Sequence, residues 1–232
     1  DITLDAAEQL LFRVSQKTLK QGFVPLRNML TETFERIDYL HKNKGELRGV
    51  ATDFDDLDFI LGGLQKSDLV VLAARPSMGK TSFALNIALN AAIKESIPVA
   101  IFSLEMSKDQ LADRLISSTG HVDAWKLRTG NLAEEDFPKI GEAMDTLDKA
   151  PIFIDDSPNI SVMEMRAKSR RLKSESGLGL VIVDYLQLMG GSGIENRVQE
   201  ISEITRGLKG LARELNVPVL ARSQLNRALE LR

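Results

Sequence analysis

The string Ala74-Arg75-Pro76-Ser77-Met78-Gly79-Lys80-Thr81 constrains this chain more than any other, because an apolar run leads into it and a helical pattern leaves it. Asp68-Leu69-Val70-Val71-Leu72-Ala73 reads as a buried strand, and Ser82-Phe83-Ala84-Leu85-Asn86-Ile87-Ala88 continues as a helix. A tight turn between them aims backbone N–H groups and a helix N-terminus at one point, where phosphate is favoured. In that geometry Gly79 admits close approach of the backbone, Lys80 reaches β- and γ-phosphates, and the Thr81 hydroxyl is a ligand for Mg²⁺. Ser77, Met78 and Ser82 complete the expected nucleotide-binding set. The pattern's usual first glycine is Ala74 here, so the turn has to tolerate a Cβ. The expected ligand is a nucleoside triphosphate.

Composition narrows the remaining choices. With 232 residues, 43% of them apolar and 27% charged, the chain is long enough for one sizeable core and an appendage. It has no cysteine, which excludes disulfides and thiolate metal sites. His41 and His121 stand far apart without partner spacing, so no zinc site is expected. No apolar run approaches the roughly 18 residues of a membrane helix, and there is no secretory signal. The expected compartment is the reducing cytoplasm, with no membrane partner. A net charge of −3 argues against a protein that coats nucleic acid with its whole surface, and leaves room for a local basic channel. The start at Asp1, without an initiator methionine, reads as a fragment or a trimmed chain.

Two helical segments come first. Leu4, Ala7, Leu11 and Val14 recur at helical spacing behind a capping pair, Asp5 and Glu8. Gln21-Gly22 breaks the pattern and Pro25 restarts it, with Leu26, Leu30, Ile37 and Leu40 along one stripe that ends near Lys44-Gly45. Strands and helices then alternate. The β-rich runs are Val70–Ala74, Pro98–Leu104, Pro151–Asp155, Leu180–Asp184 and Pro218–Ser223. Helices are expected over Thr81–Lys94, Lys108–Ser118, Ala133–Leu147, Val162–Lys173 and Glu195–Leu215, the last burying Val198, Ile201, Leu208, Leu211 and Leu215. Ser107 with Gln110, and Ser161 with Glu164, are capping-box spacings. This alternation predicts an α/β fold: a mostly parallel sheet with helices on both faces and ligands beyond the strands' carboxyl ends.

Several side chains stand at those ends. Leu180-Val181-Ile182-Val183 runs into Asp184, a candidate partner of Mg²⁺ directly or through water. Glu105 follows the strand ending in Leu104 and suits a base that orients a water attacking the γ-phosphate, or a helix-capping acid. Asp155-Asp156 reads as structural, and Gln224 as a neutral amide that senses the γ-phosphate or a polar loop residue. Gly190-Gly191-Ser192-Gly193 leads into Glu195-Asn196-Arg197, a loop whose amides and arginine suit the phosphates of a nucleic-acid strand, or an ordinary flexible connection. Paired aromatics for stacking bases are absent there. Arg170-Arg171 and Lys173 read as a solvated helix face.

Taken together, Ala73–Thr81, Phe102-Ser103-Leu104-Glu105-Met106, Asp184-Tyr185-Leu186-Gln187-Leu188 and Ser223-Gln224-Leu225-Asn226-Arg227 resemble the DnaB family of bacterial replicative DNA helicases. So do Asp58-Phe59-Ile60-Leu61-Gly62-Gly63-Leu64 and Glu195-Asn196-Arg197-Val198-Gln199-Glu200. The resemblance implies a RecA-like P-loop ATPase domain, residues 22–232, truncated at its C-terminal end. It also implies a linker helix, residues 1–21, that docks on a neighbouring subunit. It implies a homo-hexameric ring that hydrolyses ATP with Mg²⁺, moves 5′-to-3′ on single-stranded DNA and unwinds duplex at the fork. By motif match, Lys80 and Thr81 hold phosphates and Mg²⁺, Glu105 activates water, Asp184 supports Mg²⁺, and Gln224 reports the γ-phosphate. Gly191, Gly193, Asn196 and Arg197 fall in the DNA-contacting loop. Primase and a helicase loader are partners implied for the full-length protein. The family's N-terminal helical domain and the arginine finger supplied in trans are not in this chain, the glycine loop is short, and Arg222 stands where the family is usually apolar. The rival readings are another RecA-type hexameric ATPase without unwinding activity, such as a recombination mediator or clock-type ring, and a ring-building module that binds nucleotide without hydrolysing it.

Overall fold

The computed structural model describes residues 23–43, 45–186 and 197–224, the side chain of Arg197 excepted. The chain divides into two compact units, Asp1–Glu46 and Leu47–Arg232. In the first unit, helix α1 (Leu26–Lys42) follows Pro25, whose φ of −58° suits a helix entry. It ends when the Asn43 backbone N–H donates to the Tyr39 carbonyl. The helix expected over residues 1–21 lies outside the described residues.

The second unit opens with a hydrogen-bonded knot. Val50 and Leu64 form an antiparallel bridge around the short helix α2 (Asp55–Leu61), which closes at Gly62 with φ 67°. Gly49 lies so close to this bridge that a Cβ there would meet the Leu64 carbonyl carbon at 2.5 Å. The buried Asp58 carboxylate accepts from the Thr52 N–H at 3.0 Å, the Thr52 hydroxyl at 2.9 Å and the Asp53 N–H at 2.9 Å.

Five parallel strands follow: β1 (Leu69–Ala74), β2 (Val99–Ser103), β3 (Ile152–Asp155), β4 (Leu180–Asp184) and β5 (Val219–Gln224), in the order β1-β5-β4-β2-β3. The five expected strands are all present, and Pro98, Pro151 and Pro218 stand just before three of them, where a missing N–H costs no ladder bond. Connecting them are α3 (Lys80–Lys94), α4 (Lys108–Gly120), α5 (Ala124–Thr129), α6 (Asp136–Asp148), α7 (Val162–Ser176) and α8 (Arg197–Leu215). Both expected capping boxes form, Ser107 with Gln110 on α4 and Ser161 with Glu164 on α7.

Alternation along each strand sorts the core into two layers. Val99, Ile101, Leu180, Ile182 and Leu220 pack toward α3 and α4, with Ile87, Leu111 and Leu115. Ala100, Phe102, Val181, Val183, Val219 and Ala221 pack toward α7 and α8, with Met165, Leu208 and Leu211. The expected α8 stripe needs two corrections: Val198 is exposed and Ile201 is only half-buried, while Ile204 is buried with Leu208, Leu211, Ala212 and Leu215. At 3.6 residues per turn Val198 falls about 80° around the helix from Leu208, off the buried face. Two other differences are additions, α2 and α5. The helix expected from Ala133 begins at Asp136, whose carboxylate accepts from the Ala133 N–H at 3.0 Å and from Lys126 Nζ at 2.8 Å.

Candidate nucleotide site

The same alternation decides which groups reach the phosphate loop. On the α3 side, register places Val70, Leu220, Ile182 and Ile101 in one row across the sheet. Two residues further toward the carboxyl ends, the next row reads Leu72, Arg222, Asp184 and Ser103. Apolar packing thus gives way to charge where β1 turns into α3.

The turn itself has the expected conformation. Gly79 caps α3 in the left-handed region, φ 79° and ψ 14°, and Ser77 is left-handed too, φ 62°. Left-handed residues set among right-handed ones turn successive N–H groups toward one concave spot. Ala74 remains within β1, paired with Gln224, so its Cβ sits on extended backbone and the missing first glycine is accommodated. Lys80 is buried, and its Nζ donates to the Ala74 carbonyl at 2.6 Å and to the Arg75 carbonyl. Burial first, and then the Arg222 charge, hold the Lys80 ammonium below its ordinary pKa.

Arg222 ties the remaining groups together. Its Nη1 donates to the Thr81 hydroxyl and its Nη2 to Glu105 Oε2. Its Nε lies 2.5 Å from Asp184 Oδ1, an ion pair in which the N–H is not aligned on the oxygen. The guanidinium also stands 5.3 Å from the centre of the Tyr185 ring. Arg222 and Asp184 are both buried, whereas the Glu105 side chain is 49% exposed. Burial pushes the Asp184 carboxyl above its usual range, against the opposing pull of Arg222.

Lys80, Thr81, Glu105 and Asp184 are therefore brought together. Gln224 ends β5 beside Ala74 at the mouth of the loop, and Met78 is exposed on its tip. Ser82, on the first turn of α3, lines a cleft of about 490 Å³ with Asn86, Met106 and Arg114. Gly191, Gly193 and Asn196 lie outside the described residues; Arg197 begins α8. The structural reading of Asp155-Asp156 fits: Asp155 pairs with Lys168, and Asp156 Oδ2 accepts from the Lys108 N–H at 3.0 Å. On the α7 face, Arg170 pairs with Glu214, Arg171 pairs with Glu175, and Lys173 donates to the Leu215 carbonyl.

Arg222 is the site residue that sequence reasoning does not place. Its signal is parity, since it stands two positions after buried Leu220 and must share that face. Among the described residues no three His, Asp or Glu side chains gather in a metal cluster, and no helix is long and apolar enough to cross a membrane. The Thr81 hydroxyl and Asp184 carboxylate are hard oxygen donors of the type that Mg²⁺ takes beside a phosphate.

Comparison with known proteins identifies the family. The family described as DnaB-like helicase C terminal domain matches residues 49–232. The replicative DNA helicase DnaB of Geobacillus stearothermophilus is 52% identical over 234 residues, which cover 100% of this chain and 52% of that protein. Replicative DNA helicase DnaC of Bacillus subtilis is 51% identical over 231 residues, covering 99% of this chain and 51% of that one. The chain thus spans about half the length of these curated relatives. Among solved structures, one described as an ATPase domain superposes with a TM-score of 0.85 at 36% identity, over 91% of this chain and 75% of that one. A DnaB-like replicative helicase, described with its interactions with primase, gives 0.81 at 32% identity, over 99% of this chain and 59% of that one. These neighbours carry the expected RecA-like architecture. The chain belongs to the DnaB-like helicase C-terminal domain family.

Proposed function

We propose that this chain is the motor portion of an ATP-dependent replicative DNA helicase. The observation that carries the reading is the meeting of Lys80, Thr81, Glu105 and Asp184, from three separate segments, at the carboxyl edge of one sheet beside a left-handed turn. The amides of residues 77–82 and the Lys80 ammonium bind the triphosphate, Lys80 exchanging its loop carbonyls for phosphate oxygens. Thr81 and Asp184 would hold Mg²⁺, which when bound neutralises charge on the phosphates. Glu105 has the exposure a base needs to reach a water, and orients it toward the γ-phosphate. Gln224 hydrogen-bonds according to whether that phosphate is present.

The working assembly is a homo-hexameric ring in the cytoplasm that encircles single-stranded DNA and moves 5′-to-3′. The loop around Gly191, Gly193, Asn196 and Arg197 faces the strand. Residues 1–21 dock on a neighbouring subunit. Primase and a loader bind the full-length protein. The primase description of one structural neighbour and the helicase names of the curated relatives support these steps. Strand displacement on a forked duplex by the full-length protein with ATP is the test. Displacement from the 5′-tailed strand is expected; DNA-stimulated hydrolysis without displacement would reassign the chain to a RecA-type ATPase that does not unwind.

A further inference from the structure

Arg222 occupies a position that packing alone would fill with an aliphatic side chain. Its predecessor on the same face, Leu220, is buried with Ile182 and Ile101, and its neighbour across the ladder is Leu72. A buried arginine in an interior parallel strand is weak evidence for stability, because desolvation offsets much of the ion-pair attraction. Its contacts are more informative. Three of its nitrogens each face one oxygen: Nη1 the Thr81 hydroxyl, Nη2 the Glu105 carboxylate and Nε the Asp184 carboxylate. Two of those oxygens are the ones assigned above to Mg²⁺.

We propose that Arg222 is a resident cation at the magnesium locus, competing with the divalent ion for Thr81 and Asp184, and so weakening the dependence of nucleotide binding on Mg²⁺. The inference rests on reading residues 74–82 as the phosphate loop. Charge pairing supports it: the Arg222 guanidinium lies against both the Glu105 and the Asp184 carboxylates, and Lys80 feels the charge of all three. The carboxylate that would face a divalent cation thus already has a cationic partner supplied by the chain itself. A guanidinium and a divalent ion cannot share Thr81 and Asp184, since like charges at contact distance repel strongly in a partly desolvated site. Entry of the metal therefore requires the guanidinium to leave, and its flexible stem allows that while β5 stays fixed. Tyr185, against which the guanidinium rests, helps hold the occupied arrangement.

The test is binding of mant-ADP to the full-length protein in chelator, followed by titration with MnCl₂, with bound Mn²⁺ read independently by electron paramagnetic resonance. In wild type, mant-ADP binds without metal through Lys80 and the loop amides, and Mn²⁺ adds little. Arg222→Leu and Arg222→Gln should each lower the Mn²⁺ midpoint at least tenfold, while Arg222→Lys, which keeps the charge, stays near wild type. Arg222→Gln retains a hydrogen-bonding group, so it decides the matter if Arg222→Leu does not fold. A Mn²⁺ midpoint in folded Arg222→Gln within twofold of wild type overturns the proposal. Absence of mant-ADP binding by wild type in both chelator and Mn²⁺ would instead sink the phosphate-loop reading on which it rests.

Discussion

Replacing Glu105 by Gln separates chemistry from architecture at this site. The substitution keeps the length and one acceptor oxygen, so Arg222 Nη2 retains a partner, while the negative charge is lost. Because the Glu105 side chain is 49% exposed, its ion pair is screened, and the change should cost less than about 1 kcal/mol of folding stability. Arg222 would still face Asp184, so no buried charge is left alone. A positioned base contributes roughly 10²–10⁴ in rate, equivalent to about 3–5 kcal/mol of barrier. The expected result is therefore asymmetric: turnover at saturating ATP falls by two to four decades, with nucleotide affinity and the urea midpoint nearly unchanged. Steady-state phosphate release, fluorescent-nucleotide titration and urea melts measure the three quantities. Undiminished turnover, or a stability loss above about 2 kcal/mol, would show that Glu105 serves the fold and not the reaction.

Asp58→Ala strands the buried Thr52 amide and hydroxyl and the part-buried Asp53 amide that the carboxylate now serves, and should cost about 2–5 kcal/mol in urea unfolding. A loss below about 1 kcal/mol would mean that water replaces the carboxylate. Ser161→Ala removes one half of the α7 capping box and should cost about 0.5–2 kcal/mol, with no change in nucleotide affinity; a coincident affinity loss would contradict a purely local role. Hydrogen bonds from Lys126 and then the Ala133 amide hold the Asp136 carboxyl below its ordinary pKa. Such a group stabilises the fold above the unfolded carboxylate pKa and ceases to as pH falls through its lower folded value. Wild type and Asp136→Asn should therefore differ in stability at neutral pH and converge in acid; a constant gap down to the acid limit would refute the linkage.

The parts of this fold visible in the sequence are those where one local pattern suffices. Strand–turn–helix at Ala74–Ser82 is such a case, as are the apolar runs that form β2 and β4 and the Ser-x-x-Gln and Ser-x-x-Glu boxes. What stays hidden depends on short or non-local information. Helix α5 spans only Ala124–Thr129, too brief for a hydrophobic period, although Asp123 caps its start and Gly130, φ 72°, closes it. Val198 is misplaced when the stripe is counted from the N-terminal end of α8, where helical phase has drifted off the core. Arg222 needs the register: only when β5 lies between β1 and β4 do Thr81, Glu105 and Asp184 surround it. The Asp58–Thr52 knot likewise joins residues whose pairing no periodicity announces.

A crystal structure of the full-length protein with a non-hydrolysable ATP analogue and Mg²⁺ tests the central claim most directly. The account predicts phosphate oxygens within hydrogen-bond distance of the amides of residues 79–81 and of Lys80 Nζ, with Glu105 facing the γ-phosphate and the Ala74 and Arg75 carbonyls released from the ammonium. Triphosphate density elsewhere on the molecule, with Lys80 still bound to those two carbonyls, would contradict it.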